Sequence, residues 1–120
     1  MNVVVLRGKL SRDPEARELP SGDRVLALEV TVPAESPGQR SDSVPVVWFD
    51  APASAARLVA GTEVVVTGRA RRRFFRSGGS TQSRTEVVAH RVLAASQRRR
   101  ARVVLDEAAA LVTAEGESTR

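Results

Sequence analysis

Residues 24–33 read RVLALEVTVP and alternate with a period of two. Leu26, Leu28, Val30 and Val32 fall on one side, and Ala27, Glu29 and Thr31 on the other. Side chains alternate across a strand, so this pattern fits a half-buried β-strand and fits no helix. Pro33 ends it, because proline has no N–H to give a ladder. Any fold for this chain has to supply neighbours for that strand.

Other segments supply them. Residues 2–10 (NVVVLRGKL) are rich in β-branched residues and predict a first strand, with Val4 and Leu6 on one face and Val5, Arg7 and Lys9 on the other. Outward Val3 and Val5 imply a cover, either a partner subunit or the chain's own tail. Residues 11–23 (SRDPEARELPSGD), with two prolines, a glycine and many charges, predict a connection. Residues 43–49 (SVPVVWF) predict a third strand, on which Trp48 and Phe49 point to opposite sides. Residues 50–61 predict a short helix, capped by Asp50, tolerating Pro52 in its first turn and closed by Gly61. Residues 62–76 predict a long fourth strand with a bulge or bend at Gly68, 77–84 a hairpin tip, and 85–95 a fifth strand. The expected fold is all-β: a five-stranded OB-fold, a Greek-key barrel with one short helix between strands 3 and 4. The domain expected over residues 1–95 leaves 96–120 as an extension, basic and then apolar. Its residues 103–112 suit a short helix or an added strand equally, and a polar, mobile end follows.

Composition then narrows the function. The chain of 120 residues has no cysteine and one histidine, so thiolate chemistry and multi-histidine metal sites are excluded. His90 has no sequence-local partner and reads as a structural or surface residue. Neither a nucleophile elbow nor an acidic metal motif occurs, and Gly78–Gly79 opens no helix that would cradle phosphate. No enzyme activity and no cofactor are expected. No apolar run approaches the roughly 18–20 residues of a membrane span, and the start lacks the marks of a signal peptide, so the cytoplasm is the expected compartment.

Charge is uneven. Residues 1–68 hold seven basic and nine acidic groups, residues 69–102 hold eleven arginines and one acid (Glu86), and residues 103–120 hold one basic and four acidic groups. The central block suits a polyanion. Within it Arg69, Arg71, Arg72, Arg73, Phe74, Phe75 and Arg76 lead into the hairpin tip, with Arg84 returning from it. Unpaired nucleic acid calls for both parts, because guanidinium groups meet phosphates while rings stack on exposed bases. On an alternating strand Arg71, Arg73 and Phe75 share one side, and Arg72, Phe74 and Arg76 the other. Phe49 extends the candidate set from the third strand, and Arg7 and Lys9 from the first.

The residues also carry a resemblance. Asn2, VVVLRGKL, Asp13-Pro14-Glu15, Arg17, Pro20, Gly22 and the alternating strand are similar to the opening of the bacterial single-stranded DNA-binding protein (SSB) family. VVWF, Gly61, EVVVTGRARRRFF and TEVV resemble its later strands, so the likeness spans about residues 2–95. It implies an OB-fold, no catalysis, single-stranded DNA as partner, a homotetramer, association with the nucleoid, and roles in replication, repair or recombination. By resemblance, Phe49 and Phe75 fall at stacking positions and Arg71 and Arg73 at basic ones. Two positions that often carry stacking tryptophans are Ser36 and Ser43, which implies a weaker grip and a shorter footprint, offset in part by arginine. The family's acidic, Phe-terminated tip has no counterpart in AEGESTR, so recruitment of partners by that route is not expected, and an accessory paralogue is the implied type. Two alternatives remain open from sequence: an adaptor whose arginines meet an acidic protein, and an RNA-binding module.

Overall fold

The structure is a computed structural model that describes residues 1–118. Six strands form: β1 (Val4–Leu10), β2 (Glu15–Glu18), β3 (Arg24–Val32), β4 (Asp42–Phe49), β5 (Glu63–Ser77) and β6 (Ser80–Ala94). One α-helix, α1 (Arg98–Ser118), follows them. Five strands close a ring in which β1 pairs β5, β5 pairs β6, β6 pairs β4, β4 pairs β3, and β3 returns to β1. All pairings are antiparallel except β4 with β6. A closed ring leaves no edge between its members, in keeping with the expected OB-fold.

Gly8 makes the closure possible. At this point β1 meets both β5 and β3, and a Cβ on Gly8 would run into the Thr31 carbonyl oxygen. Inside the ring lie the inward residues of the alternating strands, among them Leu28, Val30, Val46, Trp48, Val64 and Val66. Burying a side chain of this kind contributes roughly 1.5–3 kcal/mol. Trp48 is buried in that core and Phe49 is only half-buried, so the two adjacent rings do face opposite ways.

Two expectations are corrected and one open choice is resolved. Residues 15–18 form β2, a sixth strand hydrogen-bonded to β3, where the sequence predicts a connection. All four residues of β2 are exposed. Its ladder comes from backbone groups alone, and these leave no hydrophobic period to read.

Second, no α-helix forms over residues 50–61, so the helix between strands 3 and 4 is not found. A 3-10 turn, Ala53–Arg57, stands there, and counting β2 it follows β4 and precedes β5. The physical reason lies at the start of the segment. Asp50 takes a φ of 51°, outside the extended conformation of an N-cap. The cap position falls to Pro52, which makes no side-chain cap bond. Gly61 does close the segment, its N–H donating to the Leu10 carbonyl at 2.8 Å.

Third, the α-helix lies at the C-terminal end and takes in the basic run as well as residues 103–112. Ala101, Val104 and Ala108 are spaced three and four apart and buried, which is the stripe a helix needs to lie on a sheet. Ala101 and Val104 form a second small core with Val65 and Leu93, on the outer face of the ring. The tail therefore covers part of that face, while Val5 on β1 stays 47% exposed. Part of the polar end, residues 114–118, is helical; residues 119–120 lie outside the described residues, and with them the rest of the expected mobile end. No helix among the described residues is long and apolar enough to cross a membrane.

The β5–β6 hairpin is the longest element pair. Gly78 (φ 58°) and Gly79 (φ 83°) turn it, and successive positive φ values suit the two-residue turns that match strand twist. The expected irregularity at Gly68 is a bulge: Thr67 faces Arg91 and Gly68 faces Ala89, so His90 is the extra residue on β6. Beyond it the hairpin runs on as an arm.

Candidate nucleic-acid interface

The arm carries most of the arginine block. Alternation along β5 puts Arg69, Arg71, Arg73 and Phe75 in one row and Arg72, Phe74 and Arg76 in the other. Ring closure brings the first row beside the outer side of β4, where Phe49 lies. The Arg71 guanidinium stands over the Phe49 ring, 5.6 Å from its centroid. Two residues along, the Arg73 guanidinium stands over Phe75 at 5.5 Å. Two rings and two cations thus share one surface, each ring with a cation at its face. Neither ring is in the core: Phe75 is 36% exposed and Phe49 is half-buried.

Beneath the row lies Glu86 of β6, with 1% of its surface exposed. Its Oε2 accepts hydrogen bonds from Arg71 Nε at 3.1 Å and Nη2 at 2.9 Å. Its Oε1 faces Arg73 Nε at 3.3 Å and Arg84 Nε at 3.9 Å. Neither Oε1 nor Arg73 Nε completes a hydrogen bond. One buried carboxylate thereby gathers three guanidinium groups. Burying a charge is unfavourable unless it is paired, and here the arginines supply the pairing.

Sequence reasoning noted Glu86 as the lone acid of the block and assigned it no part in the site. That solitude was the available signal, because a single carboxylate among eleven arginines has many cations to meet.

A second acid sits further along. Glu29 accepts from the Ser43 hydroxyl at 2.9 Å and the Ser11 hydroxyl at 3.2 Å, and pairs with Arg12 at 3.3 Å. The Ser43 bond most of all, with Ser11, Arg12 and Arg84, holds the Glu29 carboxyl below its usual range, against a smaller upward push from burial. So Ser43, at a position where the resemblance puts tryptophan, has a structural partner of its own.

The remaining predicted residues divide. Arg69 is exposed at the root of the arm, near Asn2, whose side chain bonds both backbone groups of Ala70. Phe74 is 67% exposed on the opposite side of the arm from Phe75, with Arg72 and Arg76. Arg76 bends to the turn, donating to the Gly79 carbonyl at 3.2 Å. Arg7 and Lys9 are not brought to the rings. They lie where β1 meets the start of β5: Arg7 donates to Glu63 at 2.6 Å, and Lys9 is the cross-strand partner of Glu63. His90 is exposed at the bulge.

A closed ring with a basic, ring-bearing arm is the architecture the sequence resemblance implies. The family model described as "Single-strand binding protein family" matches residues 1–95. The chain belongs to the single-strand binding protein family. It is similar to a protein of Deinococcus radiodurans named "Single-stranded DNA-binding protein", with 36% identity over 76 residues. That match covers 58% of this chain and 25% of the relative, so the chain matches about a quarter of that protein's length. The single-strand binding family match takes in β1 to β6, and with them Phe49, Glu86 and the whole arm.

Proposed function

We propose that this chain binds unpaired DNA without sequence preference, as a binding protein and not an enzyme. The reading rests on one observation above all: Phe49 and Phe75 lie on a single surface, each under an arginine of the same strand row. A ring stacks on any base, and a guanidinium beside it reaches the phosphate, so the pair holds a strand without reading it. Each stacked base contributes about 1–3 kcal/mol, which two rings and a set of arginines can turn into useful affinity. Family membership and the name of the Deinococcus relative support the same choice of ligand.

In this reading Phe49 and Phe75 stack, Arg71 and Arg73 align phosphates along the row, and Arg69 and Arg84 extend the track. Arg72, Phe74 and Arg76 meet a strand that crosses the arm to its other side. We extend the proposal to a homotetramer in the cytoplasm, acting at the nucleoid in replication, repair or recombination. The exposed Val5 on β1 is an apolar surface that a second copy would cover.

The test is a titration of labelled oligo-dT over a salt series, with the mass in solution measured alongside. Binding that falls linearly in log–log form with salt and weakens in Phe75→Ala supports the proposal. An adaptor reading gains from the partial neutralisation of Arg71, Arg73 and Arg84 by Glu86. It would be selected if oligo-dT is ignored at low salt. Tighter binding to oligo-U than to oligo-dT would select RNA instead.

A further inference from the structure

Four arginines, Arg98, Arg99, Arg100 and Arg102, occupy the first turn and a half of α1. This is the positive end of the helix dipole, where carboxylates are favoured and cations weaken the helix. No acid stands in that first turn. Among the described residues none of the four arginines forms an ion pair, and their one side-chain bond runs from Arg100 to the Gln97 amide oxygen at 3.4 Å.

Two more arginines reach the same end of the barrel from other elements. Arg7 of β1 lines a depression with Arg98 and Ser96. On the other side, Arg57 of the 3-10 turn lines a second depression with Arg100 and Gln97. The nearby acids are Glu63, bonded to Arg7, and Asp106, which shares a surface with Arg98 and Arg102. Six guanidinium groups from three elements thus face two carboxylates.

This surface lacks the other half of the arm's chemistry. Phe49 and Phe75 lie elsewhere, and Trp48, the ring that borders the second depression, is 7% exposed. A ligand here is gripped through its anionic groups alone. Guanidinium forks engage phosphate oxygens in pairs, and with no ring to stack on, bases need not be unpaired. Ala101, between the arginines, packs on the outer face of the ring with Val65 and Leu93, while the exposed Val5 and Leu105 border Arg98 and Arg102.

We propose that the arginine end of α1, with Arg7 and Arg57, is a second nucleic-acid site that takes the sugar-phosphate backbone of duplex DNA. From Arg98 the helix runs to Leu111, which shares a cavity with Arg69 at the root of the arm. Thirteen residues at 1.5 Å each put the two sites about 20 Å apart. That is roughly six base pairs of duplex at about 3.4 Å of axial rise each. A junction with its unpaired strand on the arm and its duplex on α1 would occupy both. The duplex site itself does not depend on what the arm binds.

The experiment compares the full chain with Arg98→Gln/Arg99→Gln/Arg102→Gln, which leaves the buried Ala101 and Val104 in place. A labelled blunt duplex of about 20 base pairs and a short oligo-dT are titrated by anisotropy over a salt series starting at roughly 50 mM. The native chain is expected to bind the duplex. The triple variant should lose at least tenfold in duplex affinity, with a salt slope flatter by about two to three, and keep its oligo-dT affinity. The corresponding triple lysine variant should regain most duplex binding, which a merely misfolded helix would not. Phe49→Ala/Phe75→Ala should do the reverse, losing oligo-dT and keeping duplex. Duplex binding with no oligo-dT binding would remove the arm's proposed role and leave this one standing. The proposal is overturned if the native chain ignores duplex in dilute buffer or if the triple variant binds it as the native chain does. It is equally overturned if the same arginines take poly-glutamate but no duplex.

Discussion

Glu86 lies under Arg71, its buried Oε2 accepting both Nε and Nη2 of the guanidinium at 3.1 and 2.9 Å. The same guanidinium covers the Phe49 ring. A carboxylate on β6 therefore fixes the height and tilt of a cation on β5, and through it the face that a ring on β4 offers. The arm's chemistry is oriented from below, by a residue that touches no ligand.

Glu86→Gln tests this directly. The amide keeps the volume but removes the charge that three arginines share. Those arginines are partly solvated, so the loss is moderate, about 1–3 kcal/mol of stability by thermal melting. Freed arginines have more charge to give to phosphate. The salt slope of oligo-dT binding should steepen by about one. A slope unchanged from that of the native chain would mean that Glu86 does not restrain them.

The two rings should outweigh the third. Phe49→Ala and Phe75→Ala are each expected to weaken oligo-dT binding by about 1–3 kcal/mol, roughly 5- to 150-fold. Phe74→Ala, on the opposite side of the arm, should cost less than either. Equal losses at Phe74 and Phe75 would show that the far face of the arm grips the strand as strongly as the near one.

Ser43→Trp should tighten binding. Ser43 is exposed on the same side of β4 as Phe49, where an added ring extends the stacking surface. The gain expected is up to about 1–3 kcal/mol, less whatever the lost bond to Glu29 costs. Anisotropy with oligo-dT reads it, and no gain would show that the strand does not pass there.

Glu29 predicts a pH dependence. Its carboxyl is held below the usual glutamate value of 4.5, first by Ser43. A depressed folded-state pKa stabilises the fold fully above the ordinary value, and that contribution fades as pH falls through the lowered one. Denaturant titrations between about pH 5 and pH 2.5 should find Glu29→Gln less sensitive to acid than the native chain. Ser43→Ala should move the Glu29 carboxyl resonance to titrate nearer its usual range.

Much of this was legible where side chains obey a period. Residues 24–33 announce β3, SVPVVWF announces β4 and the opposed faces of Trp48 and Phe49, and the arginine–phenylalanine run announces the arm. Elements that depend on something other than period were not. EARE (β2) is exposed at every residue and is a strand by virtue of the β3 backbone alone. Asp50 looks like a helix cap until its φ is known. The stripe of Ala101, Val104 and Ala108 crosses the boundary between a basic run and an apolar one, so composition divides what the helix unites. Glu86 meets Arg71 fifteen residues away, through a register that local sequence does not state.

The bulge at His90 settles the parity of the β6 strand. Before it, in the barrel, Val65 and Thr67 stand beside Leu93 and Arg91; after it, Arg69, Arg71 and Arg73 stand beside Val88, Glu86 and Arg84. Odd numbers on β5 face odd numbers below the bulge and even ones above it. Without that one surplus residue the two halves of β6 would be out of step. Leu93 could then meet the helix only if Glu86 pointed toward the barrel's interior, away from the arginines it gathers. Deleting His90 would thus transpose a whole row of side chains while changing no residue in either surface.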